Sequence, residues 1–232
     1  MAAEARSIDL DQVLADPPQV HPSAPQGVWS TDRACYEFLQ DVLTPGMRTL
    51  ETGLGVSTVV FVLAGTIHTA VFPYPVERDG LLAYCRARSL STDNLELALG
   101  GSDVVLPKLE RTLLDVVLID GCHAFPFPQL DWFYAASRLR YGGILVVDDL
   151  QLPAPLQLAS FLDADTRWRR LRRTDSWVAY IRESEGTLND SWTDQPFFGS
   201  PGYQLRGLAR TLEPKVKAVA RRGAQSARRL VR

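Results

Sequence analysis

The chain has few of the residues that staple a fold together. It holds three cysteines in 232 residues, Cys35, Cys85 and Cys122, with no Cys-x-x-Cys pair, and three histidines that do not cluster. An odd, scattered set of this kind argues against a disulfide framework and against a structural zinc site, and fits reduced thiols in an intracellular protein. No apolar run approaches the roughly 20 residues that span a bilayer. The N-terminus, MAAEARSIDLDQ, carries acids where a secretory signal needs a basic start and an apolar stretch. Internal repeats and low-complexity blocks are also lacking. A cytoplasmic, soluble protein is the expectation.

What is present is ample core material. Hydrophobic residues make up 46% and charged residues 22%, which excludes a disordered or fibrous chain. The net charge of −2 hides an asymmetry. Residues 203–232 contain nine Lys/Arg and one Glu, a net +8, so residues 1–202 carry −10. In that tail Leu205, Leu208, Leu212, Val216, Val219 and Leu230 recur at roughly helical spacing. This suits a basic helix lying on an anionic membrane at the inner face, or equally a solvated charged helix. Nucleic acid is disfavoured, because no aromatic beyond Tyr203 interleaves the charges.

The period of the hydrophobic pattern switches repeatedly. Ser7 to Ala15 suits a short amphipathic helix, and four prolines, Pro17, Pro18, Pro22 and Pro25, then make residues 16–28 a linker or lid strap. Trp29 to Leu43 reads as a helix capped by Ser30 or Thr31. MRTLETG, HTAVF, LELAL, LDVVLID and GGILVVDD read as strands. Between and after them run helical patterns over VSTVVFVLAG, VERDGLLAYCRARSL, 102–111, 128–139 and PLQLASFLDA. RWRRLRRT and SWVAYIRE are joined by Thr174-Asp175-Ser176, too short for a crossover helix, and should pair antiparallel. The expected fold is α/β: a doubly wound, mainly parallel seven-stranded sheet ending in an antiparallel hairpin. Four segments follow: extension and linker 1–28, main domain 29–185, loop 186–202 and basic tail 203–232.

Two strands end in unusual company. VVLIDGCHAF runs into Asp120 and His123, and GGILVVDDL into Asp148 and Asp149. Burying unpaired carboxylates costs several kcal/mol, and ligands in open α/β sheets sit at the carboxyl ends of strands. Both facts point to a site. The first strand ends LETGLGVST, where Gly53 and Gly55 allow a sharp turn and Ser57 opens a helix whose N-terminus favours a negative group. Thr58 stands where a dinucleotide fingerprint wants its third glycine, so NAD is disfavoured.

LETGLGVST, HTAVFPYP, GGSDVVLPKL, LIDGCH and GGILVVDD, in that order over about residues 30–183, resemble the class I S-adenosylmethionine-dependent methyltransferases, in particular their small-molecule O-methyltransferase branch. The resemblance implies S-adenosylmethionine as cofactor. It implies that Glu51, Gly53, Gly55 and Ser57 border the methionine half, and that Ser102 and Asp103 lie against the adenine unless they merely cap a helix. The acid that holds the ribose hydroxyls in that family is here Phe72, and Glu77 at the next helix start is the substitute. In the metal-dependent members, Asp120, Asp148 and Asp149 would hold Mg²⁺, with Asp120 also bordering the cofactor and His123 standing in the base position. Hard oxygen donors suit that ion and imidazole suits proton transfer near neutrality, although the three acids could equally be solvated loop residues. Phe125 and Phe127 could wall an acceptor pocket, whereas Trp132 and Phe133 suit packing. Cys122 reads as a packing residue, and His21 and His68 as surface or strand-edge residues.

Three functions remain open at this level. The first is O-methylation of a sugar, phenol or other metabolite, with a homodimer as the default assembly. The second is a methyltransferase-like scaffold that has lost cofactor affinity through Phe72. The third is a nucleotide-sugar or NAD-linked enzyme.

Overall fold

A computed structural model describes residues 9–24, 27–184 and Pro196. The chain divides into a unit of residues 1–187 and a second of residues 188–232. Almost all of the second unit, with the expected loop 186–202 and basic tail 203–232, lies outside the described residues.

Among the described residues seven strands and seven α-helices follow in order: α1 Leu10–Ala15, α2 Arg33–Val42, β1 Arg48–Thr52, α3 Val56–Leu63, β2 Ile67–Phe72, α4 Pro75–Ala87, β3 Leu95–Leu99, α5 Ser102–Val105, β4 Leu114–Ile119, α6 Phe127–Ala136, β5 Leu139–Val147, α7 Pro153–Ala164, β6 Trp168–Arg173 and β7 Val178–Arg182. They form one sheet in the order β3-β2-β1-β4-β5-β7-β6. β1 pairs in parallel with β2 and β4, and β4 with β5, whereas β7 runs antiparallel to both β5 and β6. The central strands are apolar because helices cover both faces of a parallel sheet: Val116, Val117, Leu118, Leu145, Val146 and Val147 are all buried. The outer strand β6 is exposed after Trp168 and presents Arg169, Arg170, Arg172 and Arg173, charges that guard an edge against pairing.

Several boundaries move from their sequence expectations. Helix α2 begins at Arg33, not Trp29, and its cap is Asp32, whose carboxylate accepts from the Cys35 amide and from Trp177 Nε1 at 2.9 Å each. That long-range bond to the hairpin outbids Ser30 and Thr31. The helix expected over 102–111 stops at Val105 and passes into a 3₁₀ turn, Leu106–Lys108, where the Arg138 guanidinium donates to the carbonyls of Leu106 and Leu109. β5 starts three residues before Gly142.

Residues 9–24 and 27–28 pack against the body of the fold. Asp9 and Gln12 form a reciprocal capping box on α1, which buries Leu10 and Val13. The strap that follows buries Val20 and Val28 in the main core beside Phe72 and Leu81. It crosses α4 at Gly80, where a Cβ would lie 2.5 Å from the Gln19 carbonyl oxygen. A glycine inside a helix costs about 1 kcal/mol relative to alanine. Here it lets the strap seat.

Candidate active site

Strand order reverses between β1 and β4, and the tips of these strands build the site. Gly53, directly after β1, has φ +107°, and a Cβ on it would stand 2.4 Å from the Asp120 carbonyl oxygen. Only glycine fits there. On the facing side a Cβ on Gly121 would meet Thr52 Cβ at 3.1 Å. The glycine turn and the loop after β4 therefore lie backbone against backbone.

Beneath the turn lies a buried polar layer. Glu51 is 0% exposed. Its carboxylate accepts from Ser57 Oγ at 2.6 Å and from the Thr58 hydroxyl, and meets His68 Nε2 at 3.1 Å. The other ring nitrogen of His68 sits 2.8 Å from Thr49 Oγ1, and the ring stacks on Phe61 with centroids 4.2 Å apart. His68 is thus an interior residue and not a strand-edge one. Periodicity missed it because β2 is a central strand with both faces covered. Glu51 and Ser57 spend their side chains on each other and hold the turn from below.

At the tips of β4 and β5, Asp120, His123 and Asp149 bring one ligand-type atom each within 4.8 Å of one another. His123 Nε2 is 2.8 Å from Asp149 Oδ2 and 3.7 Å from Asp120 Oδ1, an off-axis ion-pair geometry with no aligned hydrogen bond. Burial opposes a charge on the ring, but the two carboxylates prevail and raise His123 to about 10. Burial, opposed by His123 and reinforced by Asp149, pushes Asp120 up; burial and then Asp120 push Asp148 up. Contact with His123 pulls Asp149 down. Asp149 has φ +59°, in the left-handed region that few residues other than glycine occupy and that recurs at functional sites.

The acids do not converge as the triad Asp120, Asp148 and Asp149. Asp148 Oδ1 accepts from Thr31 Oγ1 at 2.8 Å, and the residue is nearly closed to solvent. The convergent donors are two carboxylates and an imidazole, a set that fits a divalent cation of more nitrogen-tolerant character than an all-oxygen cage. Tyr36, buried on α2, is raised by burial and then by the charge of Asp120, so α2 also closes on the site.

The strap closes over the glycine turn. His21 Cε1 is 3.9 Å from where a Gly55 Cβ would be, and His21 Nε2 lies 3.6 Å from Glu77 Oε1. Its Nδ1 accepts the Trp29 amide at 3.0 Å, which leaves the proton of the neutral ring on Nε2, facing Glu77. Burial raises Glu77 and lowers His21. Phe72 is turned into the core, so no carboxylate stands at the tip of β2. Ser102 and Asp103 open α5, but neither caps it, since the N-cap is Gly101 without a side-chain bond. Asp131, which sequence reasoning passed over, is fully buried on α6 beside the Ser102 and Thr52 hydroxyls, and burial raises it to about 6. The signal was present. Asp131 stands three residues after Pro128 and four before Ala135, on the buried face of the helix.

Beside His123 opens a cavity of about 410 Å³ lined by His123, Ala124, Phe125, Pro153, Ala154 and Gln157. Its walls are mostly apolar, with an imidazole and an amide as the polar groups. Phe125 stands 70% exposed at its mouth. Phe127, expected beside it, is instead the first residue of α6.

A seven-stranded sheet of this order, with a glycine turn after β1 and acids at the tips of β4 and β5, is the class I methyltransferase fold. Residues 50–150 match the family described as "Methyltransferase domain". Among solved structures it is similar to cofactor-bound Rv0187 from MTB, at 18% identity and TM-score 0.61, over 78% of this chain and 94% of that one. It is similar as well to the O-methyltransferase TomG from Streptomyces achromogenes, in complex with SAM, at 16% identity and TM-score 0.60 over 79% and 92%. An O-methyltransferase from Bacillus cereus in complex with SAH aligns at 17% identity and TM-score 0.57 over 75% and 90%. No curated protein sequence matches the chain. Among the described residues no helix is long and apolar enough to cross a membrane.

Proposed function

We propose that the protein transfers a methyl group from S-adenosylmethionine to a hydroxyl oxygen of a small, largely apolar acceptor such as a phenol. One observation carries this reading: the Asp120–His123–Asp149 cluster sits between the glycine turn and an apolar cavity of acceptor size. Small-molecule pockets have this character, with apolar walls and a few converging polar groups. O-methyltransferases among the structural neighbours support the same choice of atom.

The residues fit the cofactor. The glycine turn packs against the loop after β4, and Glu77 beside His21 is the carboxylate offered to the nucleoside. Bound S-adenosylmethionine supplies the methyl as an electrophilic sulfonium carbon. What the chain adds is position. Methyl transfer requires the nucleophile, methyl and sulfur in line, and fixing that geometry supplies most of the rate. The cavity wall of Phe125 and Pro153 would hold the acceptor, with its hydroxyl toward His123.

Asp120, His123 and Asp149 would hold a divalent cation if one binds, and it would lower the hydroxyl's pKa. Without it, the raised imidazolium of His123 orients the hydroxyl as a donor, and Asp120 is the carboxylate placed to accept its proton. Calorimetry with S-adenosylhomocysteine tests the cofactor: micromolar binding is expected, and no heat would favour the scaffold reading. A phenol-versus-sugar acceptor panel, run with and without chelator, tests the rest. Methylation of phenols that survives excess EDTA would remove the cation from the proposal and leave the acceptor class intact.

A further inference from the structure

Three amide side chains lie at or next to the cavity beside His123, and two of them are already engaged. Gln129 Nε2 donates to the Ala154 carbonyl at 2.9 Å and ties the first turn of α7 to α6. The Gln151 amide donates to Asp149 Oδ1, which leaves Oδ2 to face His123. Gln157 differs. It is exposed on α7 and lines the cavity, and its side chain makes no hydrogen bond to another described residue. Apart from His123, the other walls are the apolar Ala124, Phe125, Pro153 and Ala154. A free amide set in such a wall offers a donor and an acceptor together.

Its position fixes which part of an acceptor it meets. His123 touches Asp149 at the tip of β5 and so marks the near end of the cavity. Helix α7 starts at Pro153 and runs on from that tip. Gln157 follows Pro153 by one turn, about 6 Å along the axis, on the same flank of the helix. It marks the far end. The volume of about 410 Å³ lies within the range of small-molecule sites and suits a substituted ring. With the reacting hydroxyl at His123, an ortho substituent would stay beside His123 and Asp149 and leave Gln157 unmatched. A para substituent stands a full ring away, toward Gln157.

We propose that Gln157 is a specificity-determining residue, its amide bonding a polar group para to the hydroxyl that receives the methyl. The substrates are then para-substituted phenols whose far group donates or accepts a hydrogen bond. This rests on the phenol reading above and narrows it to one substitution pattern.

Steady-state methylation of para-(hydroxymethyl)phenol and para-ethylphenol by the full chain tests it. The two compounds match closely in shape and in the acidity of the phenol, and differ by a hydroxyl in place of a methyl. Gln157→Leu keeps the size and helix propensity of the residue but removes the amide. In this variant the ratio of kcat/KM for the alcohol over the ethyl compound should fall about five- to tenfold, through KM rather than kcat. Gln157→Glu keeps an acceptor for the hydroxymethyl group and should hold the ratio within about threefold of wild type. Both changes fall at an exposed helical position, where the fold tolerates them. A ratio that stays within about twofold of wild type in Gln157→Leu overturns the inference, because one lost hydrogen bond must show more than that. A wild-type preference for catechol over para-(hydroxymethyl)phenol overturns it as well. A wild type that binds S-adenosylhomocysteine but methylates no phenol overturns the phenol reading and this inference with it.

Discussion

Gly80→Ala sets two effects of opposite sign against each other. In a solvent-facing helix interior the change stabilises by about 1 kcal/mol, because glycine loses more backbone freedom on folding. At this position the new methyl would stand 2.5 Å from the Gln19 carbonyl oxygen, 3.3 Å from its carbon and 3.4 Å from Val20 Cα. All three are backbone atoms, so no rotamer change relieves the clash and the strap itself must shift. Overpacking of this kind costs roughly 1–3 kcal/mol, and lifting the fully buried Val20 forfeits about 1.5–3 kcal/mol. Subtracting the helix gain of about 1 kcal/mol from these two costs leaves an expected net loss of about 1.5–5 kcal/mol. Urea denaturation would report it as a lower midpoint, and a reduced m-value as well if the strap detaches, since less surface is then left to expose. The same variant should bind S-adenosylhomocysteine several-fold more weakly, because His21 leaves Gly55 and Glu77. A variant as stable as the wild type, or more so, would mean that the strap does not rest on α4, and the strap's role in the site would fall with it.

Three further outcomes follow from buried or exposed placement. Asp131, raised to about 6, gives the folded state a stability advantage that is complete below the unfolded value near 3.8 and is lost as pH rises through about 6. At ~1.4 kcal/mol per unit this is about 3 kcal/mol, so wild type should lose ground to Asp131→Asn between pH 4 and 6.5; parallel stability curves would refute it. His68→Phe keeps the stack on Phe61 but strips Glu51 and Thr49 of a buried partner, and denaturant titration should show a loss of about 2–4 kcal/mol. An effect under 0.5 kcal/mol would count against the buried layer as a source of stability. Phe125→Ala, at an exposed position, should leave stability within about 0.5 kcal/mol while raising KM for an apolar acceptor several-fold; unchanged acceptor kinetics would move the acceptor out of that cavity.

Fold class, the antiparallel return of the last two strands and the carboxyl-end placement of Asp120, Asp148 and Asp149 were legible in the chain itself. A strand buried on both faces reads as a short unbroken apolar run, a covering helix reads at a period of 3.6, and a three-residue connection forces an antiparallel return. Gly53 was equally readable as a turn, since φ +107° is a property of the local backbone. These features depend on neighbours in sequence.

The remaining features depended on neighbours in space. Thr31 lies 117 positions from Asp148 and Asp32 lies 145 from Trp177, yet these contacts decide which acid leaves the cluster and which residue caps α2. His68 became a partner of Glu51 because β2 lies against β1 beneath α3. Asp131 became a buried carboxyl beside two hydroxyls because α6 packs its inner face toward Ser102 and Thr52. Alternation and helical period say which side of an element turns inward. What a buried polar group meets there is set by packing, and in this protein those meetings make the site.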